Sequence, residues 1–369
     1  MRRYTKDCAL LARAGKPWLA VLVANNLPRA GKGGAVPLML HRPGPVPNSR
    51  VLRFASANML AWAKANGCPW VASVCKLAAR GGNLEALQWA RENDCPWDIW
   101  TCALAARGGY LEVLVWAREH GAEWDAETCA AAAQGGHLEV LRWAREHGSC
   151  PWDTRTLKAA AQGGYLEVVK WAREHGCPCN ESTCAAAAWG GHLEVLKWAR
   201  EHDCPWDWEV CSLAARGGHL DVLRWARGAG CQWDLRTCLG AAEDGHLAVL
   251  QWAREHHCPW DAWTCAFAAL SGLLTVLQWA RQHHCEWDDM TCAYAAESGQ
   301  LEVLQWAREH NCEWDDMTTA CAARGGHMEV MQWAREHGAP WNEDYVRALA
   351  DVGGHLDELA MWLAEHGAP

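Results

Sequence analysis

The stretch from Cys95 to Gly121 reads CPWDIWTCALAARGGYLEVLVWAREHG, and close copies of it follow one another from Cys68 to the end of the sequence. The period is 27 residues, with one 28-residue copy where Ser149 is inserted. Eleven copies begin at Cys68, Cys95, Ala122, Cys150, Cys177, Cys204, Cys231, Cys258, Cys285, Cys312 and Ala339. Within the quoted copy, Asp98 stands where a side-chain oxygen caps a first helix, and Gly108 and Gly109 end that helix. A second helix is predicted from near Leu111. At helical spacing Leu111, Leu114, Trp116 and Ala117 fall on one side, read as core, and Glu112, Val115 and Glu119 on the other, read as solvent face. The Trp of this helix, such as Trp143, Trp171 and Trp198 in later copies, is taken as core, and its truncation as costing roughly 3–5 kcal/mol. Helices of about 10 residues are marginal alone, so stacking of neighbours must supply the stability.

Outward from the repeat, the composition follows from copying. The chain of 369 residues holds 27 Trp against 2 Phe and 5 Tyr, the mark of a few positions duplicated many times. Twenty Cys, in a sequence without an apolar signal stretch at its start, point to a reducing compartment where thiols pack as small apolar groups. No run of 18 apolar residues occurs, so an intracellular, cytoplasmic protein without membrane contact is expected. Charge is uneven. Residues 1–50 carry nine Lys or Arg and the single acid Asp7, a balance of +8, which leaves −18 for the rest of a chain of formal net charge −10. An acidic array is a poor match for phosphate backbones, and nucleic acid is not expected as a partner. The basic, acid-poor start leaves organelle targeting as the alternative address.

Three regions are predicted. Residues 1–50 form a divergent basic region whose part from residue 28 to 50, with five Pro and four Gly, is an irregular connection. Residues 8–26 are apolar enough for a helix, docked on the stack or held as a separate arm. Residues 51–67 end in a segment, Met59 to Lys64, that aligns with a second helix, and are read as an N-terminal capping half-repeat. Residues 68–369 hold the eleven repeats.

The segment Thr183–His202, TCAAAAWGGHLEVLKWAREH, resembles the ankyrin repeat, whose helical core reads TPLHxAAxxGHxxVV. Gly191, His192, Val195 and the Ala pair carry the likeness. Ankyrin units run to about 33 residues, so about six are missing here, and Thr-Cys-Ala replaces Thr-Pro-Leu-His. The missing residues fall where ankyrins carry a β-hairpin finger. The resemblance therefore implies an all-α, ankyrin-like helix-turn-helix solenoid with truncated hairpin fingers, presenting an extended surface to protein partners and having no active site.

Copies within one chain can be compared with one another. Numbered from each copy's first residue as zero, positions 7, 10 and 11 are nearly always Cys, Ala and Ala, as close helix packing requires. Positions 5, 9 and 12 vary and share one face of the first helix. That face is the candidate binding surface, and its expected contact residues are Trp100, Leu104 and Arg107; Trp189; Trp263, Phe267 and Leu270; Met290 and Tyr294; and Met317 and Arg324. Apolar and aromatic groups gather on repeats 8 to 10, the kind of patch that carries interface energy. Phe267 and Tyr294 have a second reading, as fillers of space left by Ala neighbours.

Other constellations point away from chemistry. Cys at positions 0 and 7 lacks the tight pairing of zinc sites, and the one close pair, Cys177 and Cys179, occurs once. No metal or cofactor is expected. His137, His192, His219, His246 and His327 are copies of one position and are read as turn-stabilising donors, not general bases. Pairs such as Glu139 with Arg142 and Glu194 with Lys197 are read as a solvated face. With nearly every polar residue copied, no enzyme and no small-molecule substrate is expected. The predicted function is a protein-binding scaffold or adaptor. The alternatives are a substrate-recognition subunit docked through the N-terminal region and, third, a metal or redox protein using the Cys ladder.

Overall fold

The short-period pattern requires helices that start and stop abruptly, and the caps provide this. In the computed structural model, which describes Leu60, Lys64 and residues 71–367, the second repeat forms helices Ile99–Arg107 and Leu111–Glu119. The Asp98 carboxylate accepts the Trp100 backbone N–H at 3.2 Å, and equivalent caps recur at Asp125, Asp153, Asp234, Asp261 and Asp315. Gly109 turns the chain at φ +76°, a conformation that a side chain resists, and Gly121 does the same at φ +85° after the second helix. Six residues, His120 to Asp125, link the second helix to the next first helix at Ala126. The 22 helices among the described residues are accompanied by no strand, so the hairpin finger is reduced to a short linker. No helix among the described residues is long and apolar enough to cross a membrane. The expectations for residues 1–50 and 51–67 fall outside the described residues, apart from buried Leu60 and from Lys64, whose ammonium donates to the Asn93 carbonyl at 2.8 Å.

The chain divides into two compact units, Met1–Cys179 and Asn180–Pro369. Each is an all-α solenoid in its described part. In both, first helices pack along the row on the first helices of the adjacent repeats, whereas second helices of adjacent repeats hardly meet. Small side chains explain this asymmetry. Cys102, Ala105 and Ala106 are fully buried between first helices, as are their copies in other repeats, and residues of that size let helix axes approach closely. Their thiols bond weakly to backbone across repeats: Cys150 donates to the Asp125 carbonyl at 3.3 Å, and Cys129 to the Cys150 carbonyl at 3.8 Å.

Two readings of the second helix need correction. The buried residues are Val113, Leu114 and Ala117, while Leu111 is only half-buried. The constant Trp is not core in general: Trp143 and Trp198 are half-buried, whereas Trp171 and its last-repeat equivalent Trp362, each at 7% exposure, are buried. The ring lies over the groove between helix and linker instead. Trp116 stands edge-on to Trp97 at 6.0 Å between centroids and is covered by His120, stacked at 4.2 Å. The guanidinium of Arg91, from the preceding repeat, lies 4.1 Å above the Trp97 ring and donates to the Cys95 carbonyl at 2.6 Å. The same Arg-Trp bracket joins Arg118 to Trp124, Arg227 to Trp233, and Arg281 to Trp287. Stacking suits arginine, whose flat, weakly hydrated cation covers an indole face.

The His at position 15 is also more than a turn donor. The His137 Nε2–H donates to the Arg107 carbonyl of the preceding repeat at 3.1 Å, and His219 does so to Trp189 at 3.0 Å. The ring fills the space above two glycines: a Cβ on Gly109 would stand 2.5 Å from His137 Nδ1, and one on Gly135 2.5 Å from its Cδ2. It wedges one repeat's turn against the next. The inserted Ser149 is absorbed by extending its helix to Leu138–Gly148, closed by Ser149 itself at φ +48°.

Candidate protein-binding face

On a first helix, positions 7, 10 and 11 point into the stack, and positions 5, 9 and 12 point away from it. Exposure along this outer row depends on side-chain size. Ala131 and Cys321 at position 9 are buried, whereas Leu104, Phe267 and Tyr294 at the same position rise to half-burial. In the first compact unit, Trp100 is 47% exposed, with Leu104 half-buried and Arg107 exposed beside it in the helix. In the second, Trp189 is exposed and lies 6.0 Å beneath the Arg216 guanidinium, which is itself held by Glu243 at 2.9 Å and Asp244 at 3.1 Å.

Repeats 8 and 9 bring three expected residues together. Trp263 is 43% exposed, with its ring centroid 6.1 Å from Phe267 and 6.0 Å from Tyr294, and the latter two are 5.9 Å apart, edge to face. Burial, followed by the Glu297 charge, raises the Tyr294 phenol above its ordinary range. Leu270, Met290 and Met317 are half-buried along the same row, and the Tyr345 hydroxyl donates to the Met317 sulfur. Arg324 does not stand alone: it pairs with Glu297 at 3.4 Å.

Sequence reasoning missed the acids flanking this row. They are Asp288, Asp289, Asp315 and Asp316, at the starts of the first helices of repeats 9 and 10. Burial first, and Asp289 second, raises the carboxyls of both Asp288 and Asp315. The signal lay in the doubled Asp-Asp of repeats 9 and 10, where earlier copies have at most one Asp.

The cysteines are arranged for packing. Burial pushes the Cys102 and Cys177 thiols up to about 12 and that of Cys321 up to about 11, away from the thiolate that a nucleophile or ligand needs. By contrast, hydrogen bonds from Cys75, Cys211 and Cys238 lower the thiols of Cys95, Cys231 and Cys258. Among the described residues no three of His, Cys, Asp and Glu converge as a metal site. Glu139 with Arg142 and Glu194 with Lys197 form exposed pairs at 3.9 and 2.8 Å.

No curated protein sequence matches this one at a significant level. Solved structures similar to it include two helical repeat proteins. The ankyrin repeat domain of human ASB11 is 17% identical, with 43% of this chain and 84% of that one covered and a TM-score of 0.36. The pentatricopeptide repeat protein PPR10, in complex with an 18-nt psaJ RNA element, is 14% identical, with 98% of this chain and 63% of that one covered and a TM-score of 0.40. No catalytic family is indicated. Residues 157–200 match the family model described as ankyrin repeats (many copies). That segment runs from the first helix of repeat 4 to the second helix of repeat 5, and the other copies reproduce it in register, so the repeats of this chain resemble ankyrin repeats of a shortened kind.

Proposed function

We propose that the protein is a protein-binding scaffold whose partner docks on the outer row of first helices in repeats 8 to 10. The observation that carries this reading is the aromatic group of Trp263, Phe267 and Tyr294, with one indole 43% exposed, followed along the row by Met290 and Met317. Aromatic side chains supply large contact areas at small entropic cost and dominate interface energies, and flexible Met side chains adapt to a partner's shape. Trp100 with Leu104 and Arg107, and Trp189 beside Arg216, are further contacts of the same kind. The copied polar residues already have structural employment as caps, wedges and brackets, which supports a binding role over catalysis. The finer role of adaptor rests on the same face.

The test is affinity capture with the full chain against a Trp263→Ser, Met290→Glu double variant. Both substitutions place at position 5 a residue type found there in other repeats, so the fold is retained. A partner captured by the parent and lost by the variant supports the reading. Unchanged capture of that partner removes this face from consideration.

A further inference from the structure

Capping carboxylates in several repeats have cation partners. Asp98 pairs with Lys76 at 3.0 Å, Asp153 with Arg155 at 2.9 Å, and Asp234 with Arg236 at 3.8 Å. Asp125 and Asp207 have no such ion pair among the described residues, and in repeats 8 to 10 no helix-start acid has one. Asp261, Asp288, Asp289, Asp315 and Asp316 have no Lys or Arg partner among the described residues, and Asp289 and Asp315 come from adjacent repeats to face each other as like charges. Cations are scarce in the surrounding sequence: from Cys258 to Leu270 and from Cys285 to Glu297 there is no Lys or Arg at all, and from Cys312 to Arg324 the only one is Arg324, already held by Glu297. The same helices carry the Trp263, Phe267 and Tyr294 group, whose ring faces attract cations. Uncompensated carboxylates beside open aromatic faces form a surface whose missing element is positive charge.

We propose that the occupant of this face is a Lys- and Arg-rich peptide segment of a partner protein, held by carboxylates at the helix starts and by aromatic faces beside them. This rests on the docking reading above and names the chemistry of its partner. Adjacent first helices lie about 8–10 Å apart in ordinary helix packing, and a polyproline II chain, with three residues per turn, advances about 3.1 Å per residue. A peptide crossing the row therefore presents every third residue to successive repeats, so basic residues spaced by three fit best. Burial and the neighbouring Asp289 hold Asp288 and Asp315 above the usual carboxylate range, as expected of acids awaiting a counter-charge.

The probe is a fluorescein-labelled peptide of about fifteen residues, Gly-Ser in background, with Arg or Lys at every third position. Its anisotropy is titrated with the full-length protein, alongside a peptide of the same spacing with Glu and one with the basic residues in a single block. The expected result is saturable binding that favours the spaced basic peptide, weakens as salt is raised, and falls about tenfold in an Asp289→Asn, Asp315→Asn variant and again in Trp263→Ser. Thermal melts of each variant establish that the fold persists. Absence of saturation below about 100 µM, or equal binding of the Glu peptide, overturns the proposal. If a randomised peptide pool yields a neutral or acidic binder that Trp263→Ser abolishes, the basic occupant is refuted while the docking face stands. If the spaced basic peptide binds all variants equally, both fail.

Discussion

Substituting Gly109 by Ala tests how far the repeats depend on the wedge between turns. Two costs combine at this position. Gly109 has φ +76°, where an L side chain costs about 1–2 kcal/mol, and its new methyl would stand 2.5 Å from His137 Nδ1 and 2.6 Å from Cε1. The ring must move, which disrupts the His137 bond to the Arg107 carbonyl and adds the roughly 1–3 kcal/mol of an overpacked site. Gly121 is the internal control: its φ is +85°, yet no atom lies within 4 Å of an added Cβ, so Gly121→Ala carries only the backbone cost. The expected losses are about 2–5 kcal/mol for Gly109→Ala and about 1–2 kcal/mol for Gly121→Ala, read as shifts in urea midpoint at constant slope. Removing the ring with His137→Ala should reduce the cost of Gly109→Ala to that of the control, a coupling of about 1–3 kcal/mol in the double-mutant cycle. Long arrays can unfold in parts, so hydrogen exchange of helices Ile99–Arg107 and Ala126–Gln134 is followed as well. Equal losses at the two glycines, or a cycle without coupling, would refute the wedge.

Two further outcomes follow from buried polar atoms. The Thr264 and Thr291 hydroxyls are buried without a hydrogen-bond partner, so Thr264→Val and Thr291→Val should each stabilise by about 1 kcal/mol in thermal melts, and a loss of stability would show that the hydroxyls have an acceptor. The Cys102 and Cys177 thiols, raised from 9.0 to about 12 by burial, stay protonated in the folded chain while the unfolded chain ionises. Their contribution to stability is complete below pH 9 and is lost between pH 9 and 12, at about 1.4 kcal/mol per pH unit for each thiol. A Cys102→Ala, Cys177→Ala variant should therefore lose stability less steeply than the parent over that window, and parallel curves would count against the burial of the thiols.

The repeat, its two helices, the Asp caps, the Gly turns and the small-residue seam were all legible in the sequence, because each is a local rule copied many times. Depth of burial was not. Helical spacing assigns Trp143 to a side of its helix but does not say that the ring leans over the linker and ends half-exposed. The Arg-Trp bracket escaped for a related reason: Arg118 and Trp124 are joined across a turn into the next repeat, and only the constancy of both positions hinted at a shared task. On the binding row, position and composition could be read directly, and Trp263 does meet Tyr294 of the following repeat. The pairing of Arg324 with Glu297 and the unmatched charge of Asp289 and Asp315 needed three dimensions, since each depends on which neighbour lies alongside.

The brackets also bear on how such a chain changes length. In each compact unit, Arg91, Arg118, Arg227 and Arg281 reach forward to the carbonyl and indole that open the following repeat, always at the same offset. Excising or duplicating one whole repeat recreates every such contact at the new junction, with no compensating substitution elsewhere. Unequal recombination between near-identical copies is thereby structurally neutral in steps of one period, while a fractional step must be accommodated as Ser149 is, by an extended helix and a left-handed residue. Lineages of this sequence should differ by integral numbers of repeats far more often than by insertions within them, and each added copy supplies three fresh surface positions on which a new partner can be selected.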